Sequence, residues 1–578
     1  MKHNLFGVSE LTESSNTYHE NTVVQIKQFD SDHESCCGQL SLQFTGHITN
    51  AKELKNELLE SGINVTNNSN IEIISASILK WKENAFAKFN GQFIIAALFK
   101  TDNSLLLACD QLGIQTPLYY QINNNTFSFS NDIQKLKTLW NNSPAINLPG
   151  IHHYLYFGHT SNLIHLLEGI HILPPGHFLW NGNEPKKYYK VNFHDSSLNP
   201  NYIEHIKDLL LQSFTKGIDT NKKIGVIING KLSNSIMASI VAKNYSHAYF
   251  FYINYQFMNE ESNNKIKSYA NKLSQICSVP LKEIQINSQD IADNFIYLSQ
   301  RMQTPHASGT FHCYNFIFEA IKKDVDILFC DNGGAICFAE HKKYHAAKSF
   351  TQKSKNNSLF KQPFHKHRKL LKKWKGYKEH EIIIDSSRVC SKSVIRKLLL
   401  DDYNGQWYKH TVSPYILDEY YKLSLKMQWF DLKESIESND NKVVISMAEK
   451  HDLKCHFPYL NTQFILHVLS INENNRIQPK NNLINQITQG LVDKDVLKLN
   501  NVDSQFPYKK LLREELNETL QDKLSEPRLE ELGLFNILKI RNQIKRLPDK
   551  DSNEGQILWS LLSFVVWYEK IKLTHSTE

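Results

Sequence analysis

The sequence predicts an α/β protein in two parts. A sandwich of two sheets covered by helices comes first, then a doubly wound parallel sheet with C-terminal helices. Three observations predict it. In the first part, short runs turn back on one another as hairpins, with two amphipathic helical stretches among them. After it, apolar runs of strand length alternate with helical ones, the order that buries a parallel sheet. Between the two, Val191 to Pro200 (VNFHDSSLNP) is polar and ends in Pro. That linker gives domains at 1–193 and 200–578.

In the first part, Gln39–Gly46 (QLSLQFTG) alternates like a strand. Asn50 is placed to cap the helix AKELKNELLES, with Glu53 completing a capping box. Ile71 to Phe89 reads as one second helix. Gln92 to Asp110 is a hairpin turned at Thr101-Asp102-Asn103, and Leu118 to Asn131 another turned at Asn123-Asn124-Asn125.

The second part opens with a helix at Tyr202–Phe214. Ile224–Ile228 is then a β-branched run, Asn229-Gly230-Lys231 a polar turn, and Ser233–Val241 a helix with Ser233 as its N-cap. Strand, tight turn and helix form the shape of a phosphate cradle. Ala248–Tyr255 and LKEIQI are further strands, separated by a helix at Ser262–Cys277. Ile327–Ala335 (ILFCDNGGA) is a fourth strand entering a glycine turn.

Composition narrows the class. In 578 residues, 22% are charged and 41% hydrophobic, which is a globular and not a disordered balance. MKHNLFGVSE lacks the apolar core of a signal peptide, and Ile557–Trp567 is too short to span a bilayer, so a cytoplasmic protein is expected. Nine cysteines without a C-x-x-C pair read as free thiols, the adjacent Cys36 and Cys37 included. His341–Lys378 holds thirteen Lys or Arg and no Asp or Glu, so the net charge of +7 becomes −6 once that segment is set aside. Basicity is therefore local, and nucleic acid is not the expected partner. An acidic partner at 341–378, with Tyr344, Phe364 and Trp374 among the lysines, is the functional reading; a solvated helix face is the bland one. His152-His153 and His365-Lys366-His367 have no Cys or carboxylate at ligand spacing, so no metal ligands are expected.

Phe89–Tyr120 (FNGQFIIAALFKTDNSLLLACDQLGIQTPLYY) resembles the signature of class II glutamine amidotransferase domains, and Tyr154–Leu179, with its Leu-Pro-Pro-Gly-His run, resembles the segment closing that domain in asparagine synthetases. The resemblance implies an Ntn-type αββα sandwich and a glutaminase whose nucleophile is a terminal cysteine. Here the chain reads Met1-Lys2, the family's oxyanion Asn-Gly falls on Thr45-Gly46, and its substrate-amine Asp falls on Asn70. Glutamine hydrolysis is not expected. The β-lactam synthetases and lasso peptide cyclases of this family also lack the cysteine.

Asn229-Gly230-Lys231-Leu232-Ser233-Asn234-Ser235 resembles the family's pyrophosphate (PP) loop, Ser-Gly-Gly-x-Asp-Ser-Ser. Phe329–His341 resembles its second glycine turn, with Gly333 and Gly334 kept and the metal-linked Asp and its neighbour falling on Ala335 and Ile336. Asp331 reads as a solvated turn residue. Glu449–Ile471 resembles a later block in its lasso-cyclase-like form; Pro458, Tyr459 and Leu460 match, whereas the family's Glu, Arg and Asp fall on Lys454, His456 and Asn461. The catalytic lysine position falls on Asn500-Asn501, and Gln556–Tyr568 resembles the closing helix. Three charged groups are lost together, each of a kind worth about two to four decades in rate.

The resemblance implies a phosphate seat at Asn229, Gly230, Lys231, Ser233, Asn234, Ser235, Gly333 and Gly334, for ATP or another anion, with magnesium not expected because Ser233 and Ala335 offer no carboxylate. A Lys231 in such a loop is itself a phosphate ligand. Two functions remain. One is a non-catalytic binding or scaffold member of a peptide- or metabolite-tailoring pathway, engaging a peptide, small metabolite or protein. The other is an ATP-dependent amide-, lactam- or isopeptide-forming synthetase of lasso-cyclase type with a non-standard site.

Overall fold

The computed structural model describes residues 5–13, 22–29, 33–35, 38–65, 69–123, 126–140, 142–355, 367–400, 407–418, 420–434, 441–478, 482–499, 501–502, 506–547 and 554–572. Two compact units emerge. The first comprises Met1–Ile151, Thr160–Asn192 and Lys570–Glu578; the second comprises His152–His159 and Phe193–Glu569.

The first unit is built on two antiparallel sheets. One has the order β2 (Thr22–Phe29), β1 (Phe6–Glu13), β8 (Thr126–Ser130), β7 (Tyr119–Asn123), β9 (His171–Ile172). The other runs β11 (Lys186–Lys187), β10 (His177–Trp180), β6 (Ser104–Cys109), β5 (Gly91–Phe99), β4 (Leu40–Ile48), β3 (His33–Glu34). Strand alternation divides the apolar residues of β5 between two cores. Ile94 and Ala96 join Tyr120, Phe127 and Phe129 of the other sheet. Phe93, Ile95 and Ala97 join Leu54, Leu58, Ile74 and Ile78 of the covering helices.

Local chemistry alters two expected elements. The side chain of Asn50 does not cap Ala51–Glu60; it donates to Lys88 O (2.9 Å) and accepts from Asn90 N (2.9 Å), tying the helix start to the loop before β5. The single helix expected over 71–89 is Asn70–Trp81 and Ala85–Lys88, interrupted where Lys82 turns to φ +52°. Cys36 and Cys37 lie outside the described residues.

The second unit holds a five-stranded parallel sheet of order β14 (Leu281–Ile286), β13 (Ala248–Tyr255), β12 (Ile224–Ile228), β15 (Ile327–Phe329), β16 (Lys454–His456). Val226 stands beside Phe250 on one side and Phe329 on the other. Strand order reverses between β12 and β15, so their carboxyl ends flank the crevice where doubly wound sheets bind ligands. The expected helices form at Tyr202–Thr215 and Glu260–Cys277. β16 escaped the sequence reading because it has three residues, two of them polar, and no periodicity to detect.

The basic stretch is partly folded inward. It forms helices Lys342–Lys355 and Arg368–Lys373, while Phe364, His365 and Lys366 lie outside the described residues. Tyr344 and Trp374 are wholly buried, which corrects their expected place on a lysine-rich surface. Lys343 pairs with Asp431 (2.7 Å), Lys373 with Asp385 (2.5 Å), and Lys348 donates to Ile477 O (2.7 Å). Lys369 and Lys372 are exposed. No helix among the described residues is long and apolar enough to cross a membrane.

Candidate functional site

The turn after β12 closes on itself. Gly230 adopts φ +81°, a region that favours glycine, and its buried backbone lets the chain reverse into helix Leu232–Asn244. Asn234 bridges the turn, donating to Ile227 O (2.9 Å) and accepting from Asn229 N (3.2 Å). Asn229 Oδ1 accepts from Lys231 N (3.0 Å), and Ser235 Oγ meets Tyr269 OH at 2.6 Å. Ser233, Asn234 and Ser235 are buried, and Lys231 is the exposed cation of the loop. The N-cap is Lys231 and not Ser233, which sits one residue inside the helix.

A helix N-terminus collects anions, because its first N–H groups point outward and its dipole is positive there. Here the anion comes from the chain. Ser233 N donates to Glu340 Oε1 at 2.9 Å. Glu340 belongs to the second glycine turn. Gly333 (φ +90°) begins helix Gly334–Cys337, and Ala339 ends the turn at φ +53°. A non-glycine residue in that region costs about 1–3 kcal/mol. The left-handed turn leads directly into Glu340. Burial pushes the Glu340 carboxyl above its ordinary range; the Ser233 hydrogen bonds pull it back, Asp331 raises it further and Lys231 lowers it.

The two turns are locked together at several points. Asn229 Nδ2 donates to both oxygens of Asp331 (3.2 and 3.0 Å), so Asp331 is a cross-turn acceptor and not a solvated turn residue. Tyr459 OH donates to Ser233 O (2.7 Å). A Cβ added to Gly334 would lie 2.6 Å from Ser233 Cβ, so glycine is required by close approach. Val502 N donates to Gly230 O (3.0 Å), and a Cβ on Gly230 would stand 3.0 Å from Val502 Cβ.

Of the other expected positions, Ala335 accepts from Glu340 N (2.9 Å) and Ile336 is buried. His456 Nε2 meets Ser213 O at 2.7 Å, and Asn461 caps helix Thr462–Leu469 through Phe464 N (3.0 Å). Asn501 is exposed, whereas Asn500 lies outside the described residues. In the first unit, Thr45 stands opposite Ile94 on β4, and Gly46 (φ +116°) passes so close to β5 that a Cβ would meet Gln92 O at 2.0 Å. Asn70 is exposed at the start of its helix.

Sequence reading missed two carboxylates. Asp110 is fully buried and accepts from Leu112, Gly113 and Ile114 N (3.0, 2.7 and 3.3 Å) through Oδ1, and from Phe93 N (3.2 Å) through Oδ2. Burial pushes its carboxyl up, against the pull of those four bonds. Glu340 gave no signal, since its partner is remote in sequence.

The groups of the cradle already have partners within the protein. The Ser233 N–H is bonded to Glu340, Val502 lies against Gly230, and Asp331 accepts from Asn229. For magnesium, the motif positions 233 and 335 hold Ser and Ala, and the nearby carboxylates are already hydrogen-bonded within the protein.

Residues 31–190 match the glutamine amidotransferase domain family, and residues 205–569 match the asparagine synthase family. The chain is 21% identical to asparagine synthetase [glutamine-hydrolyzing] 1 of Bacillus subtilis (strain 168), over 91% of its own length and 84% of that protein's. It is 22% identical to asparagine synthetase [glutamine-hydrolyzing] 3 of the same organism over 34% of this chain and 33% of that one. Among solved structures, the allosteric regulatory enzyme of purine biosynthesis is 14% identical, covering 33% of this chain and 40% of that one, with a TM-score of 0.19. Glutamine phosphoribosylpyrophosphate amidotransferase of B. subtilis is 11% identical, covering 43% and 47%, with a TM-score of 0.20. At those scores the structural likenesses carry no argument, and the family rests on the sequence match. With the asparagine synthase match spanning most of a 578-residue chain, this protein belongs to the asparagine synthase family.

Proposed function

We propose that this chain is a non-catalytic binding or scaffold member of the asparagine synthase family, acting in a peptide- or metabolite-tailoring pathway. One observation carries the reading: Glu340 Oε1 accepts the Ser233 N–H at the helix N-terminus of the PP-loop. An internal carboxylate there neutralises the helix end and removes its affinity for an incoming phosphate. Supporting it, the Asn234 and Ser235 side chains are turned to the protein itself and Val502 lies against Gly230.

The second reading is an ATP-dependent amide-, lactam- or isopeptide-forming synthetase. A specific observation favours it: Glu340 and Asp331 put carboxylates beside the loop in place of the lost motif Asp. Calorimetry with ATP, in magnesium and in chelator, separates the two. No heat in either condition is the expected outcome. Heat only with magnesium would transfer the loop to the synthetase reading, with Glu340 and Asp331 as relocated ligands. Equal heat in both would favour Lys231 as a metal-free anion ligand, and Lys231→Ala would abolish it. Incubation with glutamine is expected to release glutamate only at the rate of a blank.

A further inference from the structure

Three side chains that the loop does not use converge in the second unit. His153 lies in helix Leu148–Phe157. Gly158, at φ +83°, ends that helix; its N–H donates to Tyr154 O (2.7 Å) and its carbonyl accepts from Ala307 N (2.8 Å). A Cβ at Gly158 would lie 3.0 Å from that of Ala307, so glycine makes the reversal that puts the His159 ring 5.6 Å from the His153 ring. Glu434 arrives from far along the chain, in a widened π-helical turn that includes 432–434 and extends helix Leu423–Asp431. Such turns change the aim of a side chain and recur at functional sites.

We propose that His153, His159 and Glu434 form a site for a divalent transition-metal ion, zinc in the first instance. Their ligand atoms lie within 4.8 Å of one another. Glu434 Oε1 is 2.7 Å from His153 Nε2 and 4.0 Å from His159 Nδ1. Ligand atoms about 2.0–2.1 Å from a tetrahedral zinc stand roughly 3.3 Å apart, which these two separations straddle. A His153–Glu434 ion pair accounts for the first distance alone; the second is too long for a hydrogen bond and fits an ion held between the two groups. Two imidazoles and a carboxylate are a borderline donor set suited to zinc, with a fourth position for water.

The cluster is shut away from solvent. His153 and Glu434 side chains are 0% exposed. Phe157 packs 4.8 Å from the His153 ring, Trp407 stands edge-on at 5.9 Å, and Phe430 backs Phe157 at 6.0 Å. Sequence alone gave no hint, because the carboxylate is not at ligand spacing from either histidine.

The full chain, produced without a histidine tag, is stripped with chelator, incubated with zinc, desalted and measured for bound metal and melting temperature. About one zinc per chain and a higher melting temperature are expected, with a cobalt-substituted sample showing the visible absorption of a tetrahedral site. Glu434→Gln should lower zinc retention at least ten-fold. Should that variant fail to fold, His159→Gln decides, since a His153–Glu434 ion pair does not need His159. A site predicts that His159→Gln folds, loses zinc ten-fold or more and loses the zinc-dependent rise in melting. Wild-type protein without zinc, or zinc retained equally by His159→Gln, would overturn the proposal.

Discussion

Asp110 and Glu340 are both carboxylates accepting backbone N–H groups, and they do different things. Asp110 takes three of its four bonds from the turn that follows it, Leu112 to Ile114, and the fourth from Phe93 on the paired strand. Sequence and structure neighbours coincide, so the residue is a device of the fold. Glu340 accepts from Ser233, more than a hundred residues earlier, at the N-terminal turn of a helix. A local carboxylate secures the turn that carries it. A remote one replaces a ligand.

The largest effect that would break this comparison is at Asp110. Asp110→Ala leaves four N–H groups without their acceptor, three of them at buried residues and each of those worth about 1–3 kcal/mol, so a loss of roughly 3 kcal/mol or more in denaturant stability is expected. A loss below about 1 kcal/mol would mean that the turn holds without its carboxylate.

Glu340→Ala should do the opposite to binding. With the Ser233 N–H uncovered beside Lys231, pyrophosphate affinity by calorimetry should rise at least ten-fold over wild type. Unchanged affinity would mean that Glu340 is not what keeps the seat closed.

The pH dependence sharpens the same point. Burial raises the folded-state pKa of Glu340 above its ordinary 4.5. The folded protein then holds a proton that the unfolded chain has released, so this group's stabilisation is complete below pH 4.5 and is lost as pH rises through the folded value. Glu340→Gln keeps an oxygen for Ser233 N–H and removes the charge. Melting in that window should become flatter with pH, and at pH 7 the variant should melt equal to or slightly above wild type. A variant that melts lower at pH 7 would show that the charged bond is a net stabiliser.

The smallest effect is on the basic helix. Lys369→Glu with Lys372→Glu should leave melting within about 1 °C, since exposed charges away from partners change stability little. Binding to an acidic peptide should weaken and depend on salt. Lys373→Glu, which would break the pair with Asp385, should cost more than both together.

Wherever the relevant partner is near in sequence, the sequence was informative. The hairpin turned at Asn103, the strand–turn–helix at 224–244 and the parallel sheet follow from period-2 and period-3.6 apolar patterns and glycine turns. Asn50 shows the limit: the capping box was legible, yet a side chain with two oxygen- and nitrogen-bonding ends found Lys88 and Asn90 instead. At the site, the glycines and the lost acids could be counted along the chain, but not where the remaining acids went.

By itself, then, the sequence determined the family and the two-part α/β architecture, because these depend on local pattern and on residue identity. Only the tertiary structure decided that Glu340 reaches Ser233, that Asp331 ties Asn229, and that Glu434 joins His153 and His159. The physical reason is range. A hydrogen bond or ligand set acts over about 3 Å in space, and the backbone turns at Ala339, at Gly158 and over 432–434 that create those approaches carry no periodic signal in the chain.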